Sequence, residues 1–465
     1  MLLAPGFLTV PKATTTTQAP VKMGNSGNML CQIMGWFSNC GETAFSRLTT
    51  KNNHDTSKPV MLEGVGKNRN ELDEKFGTID ENAYKEIKND CEDNSCKEQD
   101  PKDIVCRETL IRRTIEVETK FLRRDMAEEV HRRFEKVTEY KKMLAKKSGL
   151  DQILEPRDNG LVDHDVLLTE EQAMYLIDQL NGKQDTNDGS DARNKRNALY
   201  MEARSAEFAK KWNVDRNHPI PYMLAEDLED EEIEWIEKGL KMITDAAPCI
   251  TFKHDPEANL NGKHYIYYYR AENIKGICGL SPVGKIPDGV NGIQLNFGDF
   301  GCPDENMPGV AAHETMHSLG IEHTHLRDDR EKYMEIKWEK IDPQKYQTFL
   351  PLDAKRFTTY GVPFDFESIM TYSSKLGSKS GRIDTMIPLR DTKKNSKTMG
   401  QRTHLSNADK EMLRKMYCYA NNCHDNHVNC GYWATNGMCT NPPYRPYMKR
   451  NCRKSCGYCG GTQHF

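Results

Sequence analysis

Three histidines within eleven positions constrain this chain of 465 residues more than any other feature of its sequence. The segment HETMHSLGIEH begins at His313 and carries His317 four residues later, so both imidazoles lie on one face of a predicted helix. His323 follows six residues further on, where a continuing helix would not bring it to the same point. Gly320 can adopt positive φ, which ends the helix and turns the chain back. The pattern therefore predicts a helix, a glycine turn and three converging imidazoles.

These residue types are typical of a metal centre that performs chemistry. Three histidine ligands hold zinc and leave one position open for water, and a neighbouring carboxylate can act as a base. Glu314 follows the first histidine directly and provides that carboxylate. His325 matches no ligand spacing, and we expect it at the surface or supporting a ligand. The sequence predicts one Zn²⁺ per chain, bound by His313, His317 and His323.

Two later segments give the chain a family resemblance. RDDRE at residues 327–331 and SIMTY at residues 368–372 follow the histidine motif. With H-E-x-x-H-x-x-G-x-x-H, they resemble the astacin family of metzincin metalloproteases. The resemblance covers residues 197–418. It implies an α+β catalytic domain of two subdomains around a zinc cleft, acting as an endopeptidase on proteins or peptides.

The same resemblance implies roles for single residues. Glu314 is the expected general base, Met370 an apolar floor under the ligands, and Tyr372 a resting metal ligand that later hydrogen-bonds the transition state. The chain departs from the family at Thr324, where a glutamate usually receives the new amino terminus. Four cysteines allow three pairings by order alone. The family implies the two bridges Cys249–Cys418 and Cys278–Cys302.

A basic quartet, RNKR at residues 193–196, lies in a polar linker. An accessible basic segment is typical of a site cut by a furin-like processing protease, and a plain solvated charge run is the alternative. Cleavage after Arg196 would leave a domain that begins at Asn197, and Thr324 replaces the glutamate that anchors this terminus in the family. The family's prosegment often carries F-x-G-D, whose aspartate caps the zinc, and in VDHD only Asp165 matches. We therefore expect a zymogen with Asp165 as the candidate cap.

The tail from Cys423 onward contains six of the 15 cysteines and resembles a ShKT module. A unit this short cannot bury a sufficient core and is stapled by disulfides. Some such modules block potassium channels through an adjacent Lys-Tyr pair, but Lys449 has Met448 and Arg450 as neighbours. A structural or substrate-targeting role is therefore favoured. The resemblance implies the bridges Cys423–Cys459, Cys430–Cys452 and Cys439–Cys456.

Composition divides the remainder of the chain. The first 106 residues are rich in Asn, Lys, Asp and Glu and are predicted to be largely disordered. From residue 107 to about 150, apolar residues recur at helical spacing, which predicts one long amphipathic helix. Sequence alone does not pair Cys31, Cys40, Cys91, Cys96 and Cys106. The predicted units are 1–106 (disordered), 107–196 (helical prosegment), 197–420 (catalytic domain) and 423–459 (ShKT domain).

Charge and hydropathy exclude some partners. The formal net charge is −4 with interspersed acidic and basic residues, so no surface for nucleic acid is predicted. No run approaches the roughly 18 apolar residues of a membrane span. Clustered cysteines favour secretion, although MLLAPGFLTV is not an evident signal peptide.

Two alternatives to a secreted zinc endopeptidase stay open at this point. The first is a catalytically silent binding protein, which zinc content and a chelator-sensitive peptidase assay would distinguish. The second is a channel modulator acting through residues 423–459, which channel recording with the isolated tail would reveal.

Overall fold

The computed structural model describes residues 76–181, 210–214, 217–260, 264–271, 276–286, 290–298, 301–352, 357–419, 423–427 and 429–459. They form an N-terminal unit (residues 76–181), a central domain (210–419) and a C-terminal module (423–459). The predicted cleavage segment at 193–196, Asn197, Cys31 and Cys40 lie outside the described residues.

The N-terminal unit corrects the prediction of disorder, which is wrong for residues 76–106. Helices α1 (Glu81–Asp90) and α2 (Pro101–Leu122) occupy much of this part. Two of the acidic residues in this segment are helix caps. The side chains of Asp80 and Asp100 accept hydrogen bonds from the first turn of each helix. A disulfide between Cys91 and Cys96 fixes the chain between the two helices.

The single long helix predicted after residue 107 is also wrong. Arg123 takes a positive φ of 52° after α2, and α3 (Ala127–Lys147) begins shortly afterwards. A shorter helix, α4 (Glu170–Leu180), starts with a capping box formed by Thr169 and Gln172. Apolar side chains of α2 and α3 form a cluster that also contains residues of the central domain. The N-terminal unit is therefore packed against the central domain.

A six-stranded mixed sheet joins the N-terminal unit to the central domain. Its order is β1-β5-β6-β4-β2-β3, and only the β5–β6 pair is antiparallel. Strand β1 belongs to the N-terminal unit and lies at the sheet edge, so this edge of the central domain is covered. The strands are β1 (Val166–Leu167), β2 (Ile220–Leu224), β3 (Phe252–His254), β4 (Tyr265–Arg270), β5 (Gly279–Pro282) and β6 (Val290–Leu295).

Two helices pack with the sheet and form the main core. They are α5 (Asp230–Ala246) and α6 (Met307–Ser318), and their apolar side chains share one cluster with residues of β4 and β6. Every residue of α6 except Pro308 is buried. The hydroxyls of Tyr268 on β4 and Thr315 on α6 lie 2.8 Å apart and fix the helix to the sheet. The histidine motif therefore lies on a rigid, buried helix.

The second half of the central domain lies beyond the histidines. It contains the antiparallel pair β7 (Met334–Ile336) and β8 (Met386–Pro388), and two short helices, α7 (Thr392–Thr398) and α8 (Asn407–Leu413). The C-terminal module contains α9 (Cys430–Thr435) and α10 (Arg445–Asn451). This mixture of segregated helices and strands confirms the predicted α+β class.

Disulfides link separate segments within the central domain and within the C-terminal module. The central domain contains Cys249–Cys418 and Cys278–Cys302, and Cys106 is the free thiol among the described cysteines. The C-terminal module contains Cys423–Cys459, Cys430–Cys452 and Cys439–Cys456, the pairs that the resemblance implied.

No helix described above is long and apolar enough to cross a membrane.

Candidate active site

Helix α6 and the turn after it bring the three predicted histidines together. His313 and His317 lie one helical turn apart, and α6 ends at Ser318. Gly320 takes a φ of 91°, as predicted, and its N–H donates to the His317 carbonyl at 2.7 Å. His323 then lies beside the first two rings, with its ring centroid 4.5 Å from that of His317.

Each histidine ring is oriented through its Nδ1 atom. The Nδ1 atoms of His313 and His317 lie 2.8 and 2.9 Å from backbone carbonyl oxygens, and Nδ1 of His323 lies 2.7 Å from Oδ2 of Asp163. A carbonyl or carboxylate oxygen only accepts, so this network assigns the hydrogen to Nδ1 of each ring. The Nε2 atoms then carry lone pairs, which is the arrangement of metal-binding histidines.

The three Nε2 atoms and the carboxylate of Asp165 converge on one buried point. One ligand atom from each of these four residues lies within 4.8 Å of the others. Nε2 of His317 and Nε2 of His323 are 3.0 Å apart. Two neutral imidazole nitrogens at this distance repel each other unless a cation, either a metal ion or a shared proton, lies between them, so the donor set fits a metal ion. Imidazole nitrogens in this number suit zinc.

Asp165 takes the place of a fourth ligand. Its Oδ2 lies 3.2 Å from Nε2 of His313, and its Oδ1 lies 3.1 Å from Nε2 of His323 and 3.5 Å from Nε2 of His317. Burial would raise the pKa of Asp165, but the surrounding imidazoles lower it well below its usual value. Burial alone would lower the pKa of His323, yet Asp165 and Asp163 raise it well above its usual value. This shift reports a negative potential that also favours a bound cation.

Glu314 lies between the histidines and strand β5. A Cβ atom at Gly279 would lie 2.6 Å from both Cγ and Oε1 of Glu314, so only glycine leaves room for this carboxylate. Burial, and then the charge of Asp165, raises the pKa of Glu314 well above its usual value. A cavity of about 20 Å³ borders Glu314, His313 and Tyr372. That volume is sufficient for one water molecule.

Tyr372 lies on the opposite side of the site, with its ring centroid 4.4 Å from that of His323. Burial, followed by two nearby carboxylates, raises the pKa of Tyr372 well above its usual value, so its phenol is neutral. Arg402, which the sequence did not single out, is buried with its guanidinium 5.9 Å from the Tyr372 ring centre. Oε2 of Glu314 is buried without a hydrogen-bond partner among the described residues. The water-sized cavity beside this carboxylate is also bordered by Asp165 and Tyr372.

The turn that contains Met370 is held by a residue that the sequence did not indicate. Asp409 at the start of α8 accepts from the Ser368 hydroxyl at 2.5 Å and from the Ile369 N–H at 2.8 Å. The Thr324 N–H in turn donates to the Met370 carbonyl at 3.0 Å. The turn is therefore tied to the residue that follows the third histidine.

His325 does not join the group of four residues that could hold a metal. The expectation of a surface position is wrong, because the His325 side chain is fully buried and its Nε2 lies 3.2 Å from the Thr348 carbonyl. Burial lowers the pKa of His325 to about 3, so the ring is neutral. It packs beside His323, with ring centroids 5.5 Å apart, and thus takes the predicted supporting position.

Comparison with known proteins identifies the family. The model of the astacin peptidase family matches residues 205–418, and the ShK domain-like model matches residues 422–459. Zinc metalloproteinase nas-10 of Caenorhabditis elegans is 35% identical over 392 residues, which cover 84% of this chain and 70% of that protein. The chain belongs to the astacin family.

Other comparisons extend this result. Zinc metalloproteinase nas-9 of Caenorhabditis elegans is 36% identical over 427 residues, which cover 89% of this chain and 74% of that protein. Among solved structures, high choriolytic enzyme 1, a hatching enzyme zinc-protease from Oryzias latipes, shares 27% identity at a TM-score of 0.38. The match covers 44% of this chain and 94% of that chain. The astacin domain makes the protein a zinc metalloendopeptidase, with proteins or peptides as its substrates.

The choice of third ligand in this astacin can be tested by two histidine substitutions. We expect His323→Ala to weaken zinc binding by at least about 100-fold and to remove activity, since a direct ligand is lost. His325→Ala is the matched control and should retain zinc, because its Nε2 faces the Thr348 carbonyl. Metal analysis after dialysis against a zinc buffer measures both. Zinc loss in His325→Ala alone would show that the assignment is wrong.

Proposed function

We propose that His313, His317 and His323 hold the catalytic zinc of this endopeptidase, and that Glu314 and Tyr372 assist peptide-bond hydrolysis. The observation that carries this proposal is the 3.0 Å approach of Nε2 of His317 to Nε2 of His323, with both Nδ1 atoms turned toward acceptors. A protein that only binds partners would have no need to bury the carboxylate of Glu314 beside this site with one oxygen unpaired among the described residues. The catalytic alternative is therefore favoured over a silent binding protein.

Glu314 is proposed to move the protons. When bound, zinc supplies Lewis-acid chemistry that makes a nucleophilic water available near neutral pH. Glu314 takes a proton from the attacking water and delivers it to the leaving amine, acting first as a base and then as an acid. Its carboxylate borders the water-sized cavity, so it lies within reach of a water held beside the three imidazoles.

Tyr372 is proposed to donate a hydrogen bond to the oxygen that becomes negative in the transition state. Its phenol is kept neutral by burial and by the nearby carboxylates of Asp165 and Asp163, so its hydroxyl retains a hydrogen that it can donate once Asp165 has left. Arg402 donates to the Thr371 carbonyl at 3.2 Å and so fixes the backbone beside Tyr372. Asp409 holds the Met370 turn as described above. Both are positioning residues.

We further propose that the uncut chain is a zymogen in which Asp165 excludes water from the zinc. The carboxylate of Asp165 is within 3.5 Å of all three Nε2 atoms. Strand β1 begins at the next residue and pairs parallel with β5, so the segment lies along the sheet edge next to Glu314. A substrate would have to displace both the carboxylate and this strand.

Processing and secretion complete the proposal. A furin-like protease would cut after Arg196, in the linker between the N-terminal unit and the central domain; the support is the sequence RNKR. Six disulfides among the described residues suit an oxidising compartment, which supports secretion.

Metal analysis combined with a peptidase assay tests the proposed function. We expect about one zinc per chain, and hydrolysis of a peptide library by the cut protein that a chelator abolishes and added zinc restores. Full zinc occupancy without cleavage of any peptide, with the cut chain also assayed at nanomolar concentration, would favour the silent binding protein. Activity that survives complete removal of zinc would contradict the assigned site.

A further inference from the structure

We infer that cleavage after Arg196 does not release the N-terminal unit, which stays bound to the central domain as a separate, folded inhibitor chain. This inference rests on the proposed zymogen function. The contacts that support it join residues 76–181 to residues 210–419, on either side of the proposed cleavage site. Cutting the linker therefore removes none of these contacts.

The first contact area is the sheet edge beside the zinc ligands. Val166 of β1 is opposite Ser281 of β5, and the Ser281 N–H donates to the Asp165 carbonyl at 3.1 Å. Gln172 at the start of α4 donates from Nε2 to the Val283 carbonyl at 2.9 Å, in a buried position. A hydrogen bond from the main chain of β5 thus holds the backbone of Asp165, the proposed capping residue, in place.

The second area lies on helix α2, far along the chain from Asp165. Phe121 is 7% exposed, and its ring centroid lies 4.3 Å from that of Tyr267 and 6.0 Å from that of Tyr265, both on β4. The guanidinium of Arg113 lies 5.3 Å from the centre of the Tyr269 ring on the same strand. Aromatic and cation–π contacts of this kind are typical of stable protein interfaces.

The third area involves the second half of the central domain. Lys379 Nζ lies 2.6 Å from Oδ2 of Asp90, and Arg157 lies 3.5 Å from Asp342. The N-terminal unit therefore contacts both sides of the zinc site. Gln344 Nε2 lies 2.8, 2.8 and 3.1 Å from three carbonyl oxygens of the unit, which share its two hydrogens; they belong to Cys96, Glu98 and Glu155.

Apolar side chains from both partners share buried clusters. In one cluster, Val166, Leu176 and Ile177 of the N-terminal unit pack with Val283 and Tyr346 of the central domain. The other two clusters that span the interface contain residues of α2 together with strands of the sheet. Burial of apolar surface is the main favourable contribution to association, and an intact linker is not required for it.

The inhibitory loop, residues 157–165, is held by the unit's own helix α3. Lys141 of α3 is 2% exposed, and its ammonium has no charged partner at hydrogen-bond distance in this loop. Lys141 donates to three acceptors of the loop, the carbonyls of Arg157 and Leu161 and Oδ1 of Asn159. Because these three hydrogen bonds lie within the N-terminal unit, the loop keeps its shape after the cut and loses little conformational entropy when it binds the central domain.

Size-exclusion chromatography of the cut chain tests whether the two parts stay together. The Glu314→Gln chain is used so that the fragments are not digested further. The cut is made by furin, or by a protease whose recognition sequence replaces residues 193–196. At about 1 µM we expect both fragments to elute together at the volume of the uncut chain, as a stable interface requires. Separate elution would overturn the inference.

Activity after cutting provides the second readout, with the wild-type chain. We expect the cut chain at about 1 µM to show less than about a tenth of the activity per molecule that it reaches after about 1,000-fold dilution. Full activity at once after the cut, unchanged by dilution, would contradict retention and leave the zymogen proposal intact. Full activity of the uncut chain would overturn the zymogen proposal, and this inference with it.

Matched glutamine variants test the third contact area. Gln344→Ala removes only side-chain hydrogen bonds to the N-terminal unit, so we expect the concentration that half-inhibits the cut chain to rise about tenfold. Gln152 lies on the unit and its amide bonds the neighbouring Asp151 in an exposed position, so Gln152→Ala should change nothing. Equal inhibition in the two variants would overturn the assignment of Gln344 to the retaining surface.

Discussion

Replacing Glu314 by glutamine is expected to abolish peptide hydrolysis while zinc stays bound. The substitution removes a base and no ligand, and glutamine has nearly the volume of glutamate, so the space beside Gly279 remains filled. General base catalysis contributes at least about 100-fold, and we expect a loss of that size or larger. The assay uses the chain cut after Arg196 at nanomolar concentration, where we expect the N-terminal unit to dissociate, and metal analysis measures zinc.

Glu322→Gln is the matched control for this experiment. Glu322 lies in the same motif, one residue before His323, and burial raises its pKa to about 7. It is absent from the group of four residues that could hold the metal, and we assign it no step, so activity should stay within about threefold of wild type. Turnover above about a tenth of wild type in Glu314→Gln would show that another group acts as the base.

The sequence indicates how the three histidines converge because that arrangement is local. His313 and His317 are one helical turn apart, and Gly320 supplies the positive φ that returns His323. Helix periodicity and the conformational freedom of glycine are properties of a short segment. Such properties can be read without knowing the rest of the fold.

The supporting half of the site depends on contacts between distant segments. Asp163 orients His323 across 160 positions of sequence, and Asp409 holds Ser368 across 41. Gly279 makes room for Glu314 from another strand. None of these residues has a spacing that marks it, because tertiary packing alone brings it to the site. Asp163 lies two residues before Asp165, a residue that the sequence does indicate.

The N-terminal unit shows how composition can mislead. A charged segment was predicted to lack structure because too few apolar residues were present to form a core of its own. Residues such as Ile87 are instead buried in a cluster completed by Tyr346 and Leu350 of the central domain. Strand β1 has only two residues and forms through its pairing with β5, so no local pattern could indicate it.

Replacing Asp165 by alanine is expected to make the uncut chain active toward short peptides. Among the described residues, Asp165 is the member of the N-terminal unit in the group of four that could hold the metal. The methyl group of alanine cannot bind a metal in its place. Water can then enter, and we expect activity at least about tenfold above that of the uncut wild type. A short fluorogenic peptide measures the activity. In the cobalt-substituted chain, the visible spectrum should also change because one carboxylate ligand is lost.

Asp163→Ala tests whether activity in Asp165→Ala comes from losing the capping carboxylate or from losing any negative charge in the loop. It removes a buried carboxylate from the same loop, but Asp163 contacts Nδ1 of His323 on the far side of the ring from the metal point. We expect this variant to stay latent, and Arg196→Ala to stay latent when exposed to a furin-like protease. Unchanged latency in Asp165→Ala would contradict the carboxylate cap and leave exclusion by strand β1 as the cause. Equal activity in both aspartate variants would mean that loosening of the loop opens the site, since only one of the two carboxylates faces the ligand atoms.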